Sequence, residues 1–205
     1  MKLCKLFLVL CSFSFFTTGC STLVKIENPE SYDQQLVTVI DHRTEEQKQE
    51  KRESINSAIA IIGEDRVQPK AIDLFISKLA VEQSDGESLE LIVDEFLVMD
   101  YFPKRLRSGP RSGGGLFDMM FAAPLRKKNK KYLHDLGIDT LREDSIVCVF
   151  SGKINGVEVF GALYKPYKLS PATAFVRSDS NFHEAVSSCV IGLAYESILK
   201  IQSQS

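Results

Sequence analysis

The stretch that decides the fold is Ile146-Val147-Cys148-Val149-Phe150-Ser151-Gly152-Lys153-Ile154-Asn155-Gly156-Val157-Glu158-Val159-Phe160-Gly161-Ala162-Leu163-Tyr164. Two alternating apolar runs, 146–153 and 157–164, flank Asn155-Gly156, a dipeptide that tolerates the positive φ angles of a two-residue hairpin turn. A period of two turns one row of side chains from each run toward a core. The stretch therefore predicts an antiparallel hairpin. Beyond it, Phe182, Ala185, Val186, Cys189, Val190, Leu193, Ser197, Ile198 and Ile201 recur at helical spacing, and Asn181 with Glu184 offers a cap. Gly192 on the same side lets this closing helix approach a sheet, against a cost of ~1 kcal/mol for glycine inside a helix.

Working back from the hairpin, residues 89–102 form a long run of Leu, Ile, Val, Phe and Tyr whose alternation breaks at Asp94-Glu95, predicting a strand with a bulge there. Pro69 suits the first turn of a helix, Ile72, Phe75, Ile76 and Leu79 give that helix its buried face, and Asp85-Gly86 closes it. Earlier still, residues 36–40 read as a β-branched strand ending at Asp41, and Thr44 to Gln47 has capping-box spacing. Ile55, Ala58, Ile59 and Ile62 repeat at i, i+3, i+4, i+7 and stop at Gly63, predicting a helix. The order of strand, two helices, strand, long loop, hairpin and helix implies an α/β fold: a two-layer domain with a mixed sheet of about four strands and helices packed against it. No repeat at periods of 20 to 50 residues is visible.

The composition agrees with one such domain. At 205 residues and 44% hydrophobic content, a single core buries roughly 70% of the surface the unfolded chain exposes. Wholesale disorder and a multi-pass membrane protein are excluded. A formal charge of −2 and a sequence pI near 6.0 exclude a globally basic nucleic-acid binder.

The amino terminus reads as an address. Lys2 and Lys5 precede an apolar run at 6–16, too short for a span that needs ~20 apolar residues, and Thr17-Thr18-Gly19-Cys20 follows. These residues resemble the signal peptide and lipobox of bacterial lipoproteins. The resemblance implies a signal peptide at 1–19, cleavage before Cys20, lipid on the Cys20 thiol and on its new amino group, and, with Ser21 following, a place at the outer membrane. Acyl chains bury methylenes at ~0.8 kcal/mol each, so the anchor would be permanent. Ordinary secretory cleavage nearby is the other reading. Residues 20–35, polar and containing Pro29, read as lipidated Cys and tether, and 36–205 as the domain. With the strand at 37–41, Arg43 after it and the closing hairpin and helix, the chain also loosely resembles small periplasmic α/β lipoproteins, such as the YajG-like proteins and the accessories of secretion and peptidoglycan-synthase systems. That likeness implies a non-enzymatic envelope accessory protein.

Near-neutral totals conceal two opposed charges. Residues 103–131 hold nine basic residues against Asp118, a formal +8, whereas the rest of the mature chain holds 14 basic and 26 acidic residues, −12. Within this long loop, Arg105, Arg107, Arg111, Arg126, Lys127 and Lys128 bracket an apolar run that contains Phe117, Met119, Met120 and Phe121. Three readings stand: a patch that docks on a protein partner or a second copy, a segment that dips into anionic lipid, or apolar residues folded over the domain's own core. Nucleic acid does not fit an envelope address.

Two cysteines remain after the signal peptide and the lipidated Cys20, namely Cys148 in the hairpin and Cys189 on the closing helix. They can pair as a disulfide in an oxidising compartment or serve as small buried hydrophobes. The three histidines, His42, His134 and His183, sit in separate segments without metal-ligand spacing, no nucleophile elbow or phosphate-binding loop is present, and no cofactor is expected. Asp41-His42-Arg43 at a strand end is the best polar cluster. A charged turn leading into the Thr44 cap explains it equally well. The expectation is a binding protein rather than an enzyme, with a periplasmic hydrolase of dispersed site residues as the alternative.

Overall fold

The hairpin forms as its turn chemistry requires. In a computed structural model that describes residues 23–49, 59–83, 88–102, 131, 134–137, 141–168 and 180–204, Asn155 and Gly156 take φ of 50° and 79°. They join β6 (Ser145–Ile154) to β7 (Val157–Pro166), which pair without interruption from Ile154↔Val157 to Ser145↔Pro166. On the other side β6 pairs antiparallel with β5 (Leu89–Tyr101), whose register shifts between Val93 and Glu95, so the bulge falls at Asp94.

The far edge of β5 is shared. β2 (Val37–Asp41) runs parallel to its first half, Val37↔Leu89 through Asp41↔Val93, and β3 (Ile59–Ile61) runs antiparallel to its end, Ile59↔Tyr101 through Ile61↔Met99. The result is a five-stranded mixed sheet. A separate parallel pair joins β1 (Val24–Lys25) to β4 (Val67–Gln68). Helices α2 (Ala71–Glu82) and α3 (Ser180–Gln204) pack on one face of the sheet, and a one-turn helix, α1 (Glu45–Lys48), follows β2.

The main core lies between these helices and the sheet. Phe75 of α2 stacks against Phe96 and Phe150, with ring centroids 5.4 and 4.9 Å apart, and is fully buried, which stabilises by roughly 1.5–3 kcal/mol per such side chain. Every predicted apolar residue of α3 is buried, and its stripe meets Ile146, Cys148 and Phe150 of β6. A smaller cluster covers the opposite face, where Met99, Tyr101, Val147 and Val149 pack with Ile59, Ile61, Leu136 and Leu141. Residues 145–150 are therefore buried on both faces, which is why this run reads as continuously apolar.

Several local expectations need correction. Ile59 belongs to a strand and not to a helix: Ala60 and Ile62 face the interior while Ile59 and Ile61 meet the second cluster, a period of two inside a run that also satisfies helical spacing. Residues 50–58 and the expected stop at Asp85-Gly86 lie outside the described residues. Pro69 precedes the helix that Lys70 caps, after a cis Gln68–Pro69 bond. Asn181 sits inside α3, where its amide donates to the Lys168 carbonyl instead of capping the helix. Part of the polar tether is docked: Val24 is wholly buried, and Ile26 and Tyr32 pack against the core. The Thr44 capping box forms as expected, with reciprocal bonds between Thr44 and Gln47.

Candidate functional site

The polar cluster at the end of β2 is assembled by three backbone features. His42 N–H extends the parallel pairing by donating to Val93 O at 2.9 Å, the capping box turns the chain into α1, and the bulge redirects Asp94. As a result, adjacent side chains point opposite ways. Arg43 goes inward, with its side chain 2% exposed, whereas His42 and Asp94 stay more than half exposed and pair Nδ1 to Oδ1 at 2.9 Å.

Arg43 is matched on every side. Its Nε and Nη2 donate to the two oxygens of Asp41, each at 2.9 Å. Nη2 also lies 2.7 Å from Glu64 Oε1, Nη1 donates to the Phe96 carbonyl at 3.4 Å, and the guanidinium stands 5.8 Å from the Phe96 ring centroid. Lys48 reaches Asp41 at 3.3 Å and Lys70 reaches Glu64 at 3.6 Å. Burial alone would raise the Asp41 carboxyl, but hydrogen bonds from Arg43 and Lys48 outweigh it and hold the group down at about 2. Burial works against the Arg43 charge too, yet Asp41 and Glu64 raise its pKa further. A guanidinium so committed has no donor fork left for a substrate anion. Its chemistry is structural: it ties β2, the turn at 63–66 and β5 together.

That leaves the exposed pair of Asp94 and His42. Among the described residues no hydroxyl or thiol hydrogen-bonds to His42, and no group of three His, Cys, Asp or Glu side chains converges to hold a metal. His134 and His183 lie on other segments, the latter beside the Phe182 ring. Glu95, next to the bulge, has its carboxyl raised by burial. A groove of about 230 Å³ lies between residues 31–37 and the end of α2, lined by Tyr32, Leu36, Val37, Ala80 and Leu89 among others. This is below the ~300 Å³ at which small-molecule sites begin.

Of the residues singled out from sequence, Cys148 and Cys189 are brought together in the core. Cys20 and the proposed contact residues Arg105, Arg107, Arg111, Phe117, Met119, Met120, Phe121, Arg126, Lys127 and Lys128 lie outside the described residues. The partners of Arg43 were not foreseen. Glu64 and Phe96 are 21 and 53 positions away, and no local pattern links them to a strand end. The described sheet face away from the helices also carries exposed apolar side chains, Ile40, Phe160 and Tyr164. Among the described residues no helix is long and apolar enough to cross a membrane. Comparison with known proteins finds no matching family model, no matching curated protein and no matching solved structure.

Proposed function

We propose that this chain is a lipoprotein of the bacterial outer membrane, anchored at the periplasmic face through Cys20. It acts there as a non-enzymatic envelope accessory that binds a protein partner or a second copy of itself through residues 103–131. The observation that carries this reading is Thr17-Thr18-Gly19-Cys20 after the apolar run at 6–16, and what bears on the geometry of such an anchor is the position of Val24. It is wholly buried and paired with Val67 only four residues after Cys20, a span of at most ~14 Å. A lipid on Cys20 would therefore hold the domain directly against the bilayer, with no free stalk. The commitment of Arg43 to Asp41 and Glu64 supports binding over catalysis, because the one buried cation of the strand-end cluster serves the fold.

Membrane fractionation with palmitate labelling tests the anchor. Wild type takes up label and sediments with the outer membrane, and Cys20→Ala does neither. A Cys20→Ala variant that stays with the membrane, beside an unlabelled wild type, overturns the proposal. Crosslinking in the native envelope tests the contact segment. Replacing Phe117, Met120 and Phe121 with Ser abolishes the crosslinked species at unchanged melting temperature; retained crosslinks with a lowered melting temperature assign those residues to the protein's own core.

A further inference from the structure

We infer that Cys148 and Cys189 form a disulfide that staples α3 to the central hairpin when the chain folds in an oxidising compartment. The geometry is set by pairing and packing. Cys148 stands opposite Leu163 in the β6–β7 ladder. Cys189 Sγ lies 3.4 Å from the Leu163 carbonyl oxygen and 3.6 Å from that of Ile146, the residue two places before Cys148 on the same face. The helix thus sets its sulfur directly over the Cys148 position. Both are free thiols with fully buried side chains, and Cys189 lies near enough to Cys148 to add to the rise in its thiol pKa that burial causes. Among the described residues no third His, Cys, Asp or Glu joins the two sulfurs as a ligand set.

The chemistry needs an oxidant, and a disulfide carried by an exchange partner supplies it. One cysteine thiolate attacks the carrier disulfide and expels a carrier thiol, and the second attacks the mixed disulfide and expels the other. Two S–H bonds are lost and one S–S bond forms, and the carrier is reduced to a dithiol that takes both protons. Burial raises the Cys148 thiol well above its ordinary value, so that thiol is unreactive once packed. Exchange therefore belongs to the folding chain, before α3 closes over the sheet. The bridge then closes a loop of about 40 residues, a length that stabilises substantially by restricting the unfolded chain.

The inference takes its compartment from the envelope reading, so the test has two arms. The full-length protein is unfolded, reduced and refolded with oxidised glutathione, then alkylated in acid and digested without reductant. Recovery of the linked Cys148–Cys189 peptide pair is expected, with a melting temperature lowered on the order of 10 °C by reduction. Cys148→Ala and Cys189→Ala should show no such reductant effect. Quantitative alkylation of both residues in the refolded wild type overturns the inference. In the second arm, protein is alkylated directly from cells. Linked peptides there support both readings, whereas free thiols beside a bridge formed on refolding overturn the export reading and leave the pairing supported.

Discussion

Arg43 Nη2 lies 2.7 Å from Glu64 Oε1 beneath the end of β2, and the same nitrogen donates to Asp41 at 2.9 Å. One buried cation thus answers two carboxylates from different segments. Removing a single partner from such a set leaves the others uncompensated, at a cost of about 3 kcal/mol for sites that keep some exposure. Arg43→Leu is therefore expected to shift the urea midpoint downward at unchanged m-value. Restoring balance with Asp41→Asn and Glu64→Leu in the same chain should recover most of the loss. An Arg43→Leu midpoint equal to wild type would show that the cluster contributes nothing to the fold.

Acid should unfold the protein through Asp41. Its folded pKa, about 2, lies below the ordinary carboxylate value. The stability it contributes is thus complete above pH ~4 and lost as pH falls toward 2, on the order of 1 kcal/mol after solvent screening. Asp73 and Glu95 have the opposite sign, because burial raises both. Protonating them favours the folded state, so they offset other losses as pH falls toward their range. Melting temperature should stay nearly level from pH 6 to about 4 and then fall, and Asp41→Asn should flatten the lower limb. An unchanged limb in that variant would assign acid sensitivity elsewhere.

How much was legible in the sequence follows from how local each signal is. Asn155-Gly156 states its own turn, the Asp94-Glu95 break states its own bulge, and the α3 stripe repeats often enough to leave one interpretation. β3 carries only three residues and is defined by a partner at Tyr101, about 40 positions later, so its spacing could equally satisfy a helix. The β1–β4 pair likewise depends on Val67 offering an edge to Val24. For the strand-end cluster, sequence located Asp41, His42 and Arg43 together. Which of them turned inward was decided by Glu64 and Phe96, which no local pattern reveals.

Two glycines should respond differently to the same methyl group. At Gly152, beside the β5 bulge, an added Cβ would collide with the Ile92 carbonyl oxygen, a backbone atom that cannot rotate away. Gly152→Ala is expected to cost about 3 kcal/mol or more. At Gly192 the nearest atom is Leu163 Cδ2, 2.5 Å away and at the end of a flexible side chain. Helix propensity returns up to ~1 kcal/mol there, so Gly192→Ala should fall within about 1 kcal/mol of wild type. Equal losses in denaturant titrations of the two variants would contradict this distinction.

Among the described residues, a lysine from α3 reaches the outer edge of β7. This ten-residue strand pairs only with β6 among the described residues, and it exposes Phe160 and Tyr164 on the face away from the helices. A long apolar edge is a template for another strand, and a cation placed over it opposes that pairing. Lys200 of α3 occupies this position, donating from Nζ to the Phe160 carbonyl oxygen. Lys200→Ala should therefore shift light-scattering mass upward with concentration under conditions where wild type does not change, while Lys200→Arg should behave as wild type. Adding Phe160→Lys to Lys200→Ala should reverse the association, since it restores a cation and removes an exposed ring. If Lys200→Ala follows the wild-type concentration profile, the edge is protected by something other than this lysine.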